Sequence, residues 1–180
     1  VGAIAFSLTG LLIFIADEQQ LRELTFWQLG SLAGATWLKL TVAAPLMLVA
    51  ILVMASLSRG LNAIMMGEGV ALHLGIEVQR LKHVAIVCVA AATGAAVAIS
   101  GGIAFVGIVI PHVLRLIIGP DYRALIPASA FAGAALLLGA DMFARTVVAP
   151  AEMPIGIVTA LIGAPVFIAM LMRRSSAEGL

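Results

Sequence analysis

Leu38-Lys39-Leu40-Thr41-Val42-Ala43-Ala44-Pro45-Leu46-Met47-Leu48-Val49-Ala50-Ile51-Leu52-Val53-Met54-Ala55-Ser56-Leu57 is a run of twenty residues with a single charge, Lys39. Crossing the hydrocarbon core of a bilayer takes about 20 mostly apolar residues, with a range of about 17–25. Five further apolar segments flank this one: 1–15, 84–100, 103–118, 124–143 and 155–172. Several are at the short end of that range. None alternates apolar with polar residues as a barrel strand does, and lipid leaves no partner for unpaired backbone groups, so each is expected to be a helix. The expected fold class is all-α, a polytopic transmembrane bundle of about six spans.

Composition agrees. Of 180 residues, 63% are hydrophobic and 11% charged, and the mean hydropathy is +1.18. Soluble domains carry about 25% charged residues. A water-soluble fold of this size could not hide so much apolar surface. A net charge of +1 provides no field to recruit nucleic acid. The one cysteine, Cys88, has no partner for an intrachain disulfide and reads as a small apolar residue. The opening Val1-Gly2-Ala3-Ile4-Ala5-Phe6 has no basic lead and reads as the interior of a longer protein rather than as a signal peptide.

Two polar stretches, 16–24 and 59–83, interrupt the apolar pattern, and nothing marks a second domain, so 1–180 is expected to be one transmembrane unit. With six spans, Arg59, Arg80, Lys82, Arg115, Arg123, Arg173 and Arg174 share a side with both termini. Arg22, Lys39 and Arg145 lie on the other. Seven basic residues against three place both ends and the 59–83 loop in the cytoplasm.

No P-loop is present: neither Lys39 nor Lys82 follows a glycine-rich loop. His73, His83 and His112 lack metal-ligand spacing. No nucleophile elbow appears. The polar features that remain are few. In the 59–83 loop, 61–68 reads as a short amphipathic helix ending near Gly67, and 68–74 as a second ending near Gly75. Such a pair suits a docking element for a soluble partner or, equally, an amphipathic loop resting on the membrane. Farther on, Gly101-Gly102 permits a tight turn and re-entry. Pro111 should kink the next helix. His112 and Arg115 share a helical face, more as a structural pair to a nearby carbonyl or carboxylate than as ligand contacts. Asp141 and Arg145 are spaced to pair along one helix. Pro154 suits a helix's first turn, with Glu152 near its positive end, and Gly156, Gly163 and Pro165 permit kinks or close approach.

Taken in order, these strings resemble the FecCD-type permeases of ATP-driven importers for ferric siderophores, haem and cobalamin. They are Leu61-Asn62, Gly67-Glu68, Ala71 and Leu74-Gly75; Gly102-Ile103-Ala104-Phe105-Val106-Gly107-Ile108-Val109-Ile110-Pro111-His112-Val113-Leu114-Arg115; Asp141 and Arg145; and Glu152-Met153-Pro154-Ile155-Gly156. Trp27-Gln28-Leu29-Gly30 fits the family's outer segment. The resemblance implies a ten-helix subunit, of which this chain is the last six, working as a homodimer in the bacterial inner membrane. It implies two partner ATPase subunits, which use the ATP, and a periplasmic substrate-binding protein. It assigns the coupling contact with the ATPase to the loop of Leu61, Asn62, Gly67, Glu68, Ala71, Leu74 and Gly75. It assigns docking of the binding protein to Arg145, and the central path to the spans 1–15 and 155–172. The run from Gly107 to Arg123 is closest to haem-type members, with siderophores and cobalamin behind. No covalent cofactor or metal site is implied.

Two other classes bear weighing. An ion-coupled secondary transporter needs a carboxylate near the membrane midplane, and the acidic residues here lie in loops or at span ends. An intramembrane enzyme needs clustered titratable groups, and His112 has none beside it in sequence.

Overall fold

A computed structural model describes residues 2–147 and 153–178. The described residues form nine helices and no strand: α1 (Gly2–Ile15), α2 (Glu18–Leu29), α3 (Trp37–Ser56), α4 (Ser58–Met65), α5 (Glu68–His73), α6 (Val78–Ser100), α7 (Val106–Ile118), α8 (Tyr122–Val147) and α9 (Ile155–Glu178). Each apolar segment read from the sequence carries a helix among the described residues. Only α3, α6 and α8 are long and apolar enough to cross a membrane unaided, however; α1, α7 and the Ile155–Met170 part of α9 are shorter. At 1.5 Å per residue, the 13 residues of α7 reach about 20 Å against a core of about 30 Å.

Three boundaries differ from the sequence reading. The 16–24 stretch, read as a polar interruption between spans, belongs largely to α2. Its N-cap is a capping box: Asp17 Oδ1 accepts from Gln20 N at 2.8 Å, and Asp17 N donates to Gln20 Oε1 at 3.4 Å. Helix α6 starts at Val78 rather than near 84, so Arg80, Lys82 and His83 belong to its first turns. The fourth apolar segment starts its helix only at Val106, because Phe105 adopts a left-handed backbone with φ 67°. Helix α7 then continues through Pro111 without ending.

The packing uses small residues. Helix α3 runs against α6, α7 against α8, and α8 against α9. Among buried side chains alanine is the commonest, with Ala43, Ala50, Ala140 and Ala144 among them. That is how helices associate when lipid removes the hydrophobic drive between them: backbones come close enough for dispersion contacts. Most large apolar side chains point outward instead, and every described α1 side chain is exposed.

Candidate functional site

At one end of the bundle α4 and α5 form a helix pair with a core of its own. Ala63, Ala71 and Val78 are buried together, with Ile64 and Ile76 packed around them. The joint is Gly67, at φ 116°, and the exit is Gly75, at φ 78°. Neither glycine faces a neighbour within van der Waals reach, so backbone conformation rather than space requires glycine at both. The exposed rim carries Met65, Met66, Leu72 and Leu74. Glu68 opens α5 and pairs with Lys82 Nζ of α6 at 2.5 Å, both side chains part-exposed.

The candidate coupling residues do not share one environment. Glu68, Leu74, Gly67 and Gly75 are exposed and Leu61 is half-buried. Ala71 is fully buried against α4 and α6, so its side chain holds the pair together rather than facing outward. Asn62 is half-buried and points toward the start of α8. Its Oδ1 accepts from Tyr122 N at 2.9 Å, and its Nδ2 donates to Asp121 Oδ1 at 2.6 Å. Asp121 Oδ1 also accepts from Arg123 N at 2.9 Å. The Arg123 backbone donor, then Asn62, then the Arg123 charge hold the Asp121 carboxyl below its ordinary value of 3.8.

Arg115, on the last turn of α7, lies over the Tyr122 ring, 5.7 Å from its centroid, and donates from Nη2 to the Tyr122 hydroxyl at 3.4 Å. The expected pairing of the His112–Arg115 face with a carbonyl or carboxylate is therefore replaced by an aromatic partner. His112 is exposed and makes no hydrogen bond with a described residue. A groove of about 360 Å³ between α3, α6, α7 and α8 runs past Arg115, Tyr122, Pro111 and Cys88, and the buried Ser129 hydroxyl in it has no partner among the described residues.

Toward the opposite end, Arg145 Nε donates to Asp141 Oδ2 at 2.8 Å along α8. Arg145 stays mostly exposed while Asp141 is largely covered. Glu152 lies outside the described residues. Pro154 is buried just ahead of α9, where its carbonyl accepts from Ile157 N at 3.2 Å.

A glycine contact that sequence reasoning caught only in part joins α2, α9 and the α6–α7 link. The Trp27 carbonyl accepts from Gly30 N at 3.3 Å and from Gly102 N at 3.1 Å, and Ser31 N donates to Ser100 O at 2.8 Å. A Cβ on Gly101 would overlap the Trp27 carbonyl oxygen, and one on Gly156 the Leu29 carbonyl oxygen. One on Gly163 would overlap Phe105, whose ring packs on Phe167 with centroids 6.2 Å apart. Gly156 and Gly163 were legible as sites of close approach; Gly30 needed the partner helix to be seen. Among the described residues no group of three His, Cys, Asp or Glu side chains could hold a metal ion.

Apolar helices joined by small-residue contacts, with a compact helix pair at one end, define a polytopic α-helical membrane protein. The model of the FecCD transport family matches residues 1–173, and the chain belongs to that family. It is 43% identical over 174 residues to the hemin transport system permease protein HmuU of Yersinia pestis, covering 97% of this chain and 52% of that protein. It is 42% identical over 162 residues to the vitamin B12 import system permease protein BtuC of Vibrio cholerae, covering 89% and 48%. It is 40% identical over 173 residues to a probable siderophore transport system permease protein, YfiZ, of Bacillus subtilis, covering 96% and 52%. A solved metal-chelate type ABC transporter in an inward-facing conformation superposes with a TM-score of 0.85 at 35% identity, covering 95% of this chain and 56% of that one. The chain spans about half the length of the curated relatives it matches.

Proposed function

We propose that this chain is the membrane-spanning part of an ATP-driven importer that carries haem, or another iron chelate, across the bacterial inner membrane. The observation that carries the reading is the α4–α5 pair: a helix element with its own core and an exposed rim of Met65, Met66, Leu72 and Leu74. An apolar rim on a polar-faced element suits a protein partner, here a separate ATPase subunit that hydrolyses the ATP; the permease itself is not an enzyme. ATP binding closes the ATPases, α4–α5 moves with them, and the bundle passes between two packings that open the path to opposite sides. No catalytic residue is required, only a difference in stability between the two packings.

The exposed apolar faces of α1 and α9 support a second permease copy, with the path between them. Arg145 supports docking of an acidic periplasmic binding protein, since its guanidinium stays accessible while paired. Haem leads as the ligand by a narrow margin, on 43% identity to HmuU against 42% to BtuC and 40% to YfiZ; cobalamin and siderophores stand as the alternatives within the family.

The test is uptake into vesicles holding the full-length permease, its ATPase and its binding protein, offered haem, a ferric siderophore and cobalamin in turn. ATP-dependent accumulation of haem above the other two is expected. Uptake driven by an ion gradient without ATP would overturn the reading in favour of a secondary transporter.

A further inference from the structure

We infer that Asn62 is a positioning residue, the linchpin that carries movement of the α4–α5 pair into α8 and α7, rather than a contact with the ATPase. The inference rests on the coupling reading above and assigns the internal side of that coupling. Tyr122 N can only donate, so the carboxamide oxygen of Asn62 must face it, and this fixes the amide nitrogen toward Asp121. Both ends of the carboxamide are thus engaged at the start of α8, by Tyr122 and by Asp121 just ahead of it. The hydrogen bond to Asp121 is charge-assisted, and such bonds are shorter and stronger than neutral ones. Asp121 is fixed in turn by Arg123 N. Tyr122 continues the chain of contacts, because its ring and hydroxyl hold Arg115 at the end of α7. One side chain on α4 therefore grips the start of a 26-residue helix and, through Tyr122, the end of its neighbour. A displacement of α4 cannot occur without pulling on both or breaking this junction.

The experiment is a charge exchange in the full-length permease assembled with its ATPase and binding protein. Asn62→Asp sets a second carboxylate against Asp121. The variant should insert at native levels, co-purify with the ATPase and retain ATP hydrolysis, while uptake falls about tenfold, the loss expected when a hydrogen bond to a charged group is broken. Adding Asp121→Asn restores a carboxylate–amide pair with the roles reversed, and at least half of the lost uptake should return. Normal uptake by Asn62→Asp overturns the inference. So does a double variant no better than the single one. Release of the ATPase by Asn62→Asp also overturns it, by making Asn62 a motor contact. If Asn62→Asp does not insert, Asn62→Ala and Asp121→Ala replace it: a double variant no worse than either single one supports the linkage, and additive losses overturn it. Failure of the coupling reading itself shows elsewhere, as normal transport by variants on the outer rim such as Leu74→Asp.

Discussion

Gly156 shows how a single missing methyl sets the distance between two helices. Its Cβ position is occupied by the Leu29 backbone carbonyl, which cannot rotate aside, so Gly156→Ala must push α9 from α2. Overpacking of this kind costs about 1–3 kcal/mol. Gly60 offers the contrast. A Cβ there meets the tip of the Leu81 side chain, which can change rotamer. Thermal unfolding in detergent should therefore show a clearly lower midpoint for Gly156→Ala and a smaller shift for Gly60→Ala. Equal shifts would sink the claim that backbone, not side chain, limits the approach. Asp121 supplies a pH dependence at the same scale. Its folded-state pKa is depressed, so its contribution to stability is full above its ordinary value of 3.8 and is lost as pH falls through the lower folded value. Amide exchange at Tyr122, whose N–H is held by the neighbouring Asn62, should stay slow from neutral pH down to about that value and rise, relative to other α8 amides, only below it. A rise near neutrality would show that some other group controls the junction.

At the scale of elements, the α4–α5 pair was legible because glycine punctuation survives in sequence: Gly67 and Gly75 mark both boundaries, and the structure gives both a positive φ. The polar composition of α2 hid its helix, although the capping pattern of Asp17 and Gln20 was there to be read. The late start of α7 was not legible. Phe105, with its left-handed backbone geometry, packs against Gly163 and Phe167, residues about sixty positions away. Asn62 shows the same limit within the site. Its sequence neighbourhood marks a residue of a short amphipathic helix, and only the fold brings Asp121 to it. The pair yields its own prediction. Gly67→Val has space for its side chain but not the backbone freedom, and strain at such a position costs of order 1–3 kcal/mol. That load falls on the joint alone, so ATP hydrolysis should uncouple from uptake while membrane insertion is unchanged. Glu68→Gln is the companion. Its partly exposed pair with Lys82 is worth at most about 1 kcal/mol, so stability should hardly move. Uptake lost with stability intact would locate Glu68 at the contact with the ATPase; uptake unchanged in both variants would remove α4–α5 from the coupling role.

Across the whole molecule, the arrangement of charge and apolar surface sets orientation. Phe6, Phe14, Trp37 and Phe131 are each more than three-quarters exposed, a surface that water would not tolerate over so many helices and that lipid or a second copy would cover. The Asn62–Asp121 and Tyr122–Arg115 contacts gather Arg115 and Arg123 at the α4–α5 end, where Arg59, Arg80 and Lys82 already lie; Arg145 sits at the far end of α8. Lys and Arg accumulate on the cytoplasmic side of membrane proteins, so the α4–α5 end should face the cytoplasm. Helix α3 measures the separation: its 20 residues span about 30 Å, with Trp37 at its start and α4 following directly after its end. Trp37 and Met66 are both exposed and mark opposite surfaces. In a full-length permease freed of Cys88 by Cys88→Ala, a membrane-impermeant maleimide should label Trp37→Cys in spheroplasts without permeabilisation. It should reach Met66→Cys only in inverted vesicles. The reverse pattern would place the α4–α5 pair outside the cell, where no ATPase could reach it, and the importer reading would fall with the orientation.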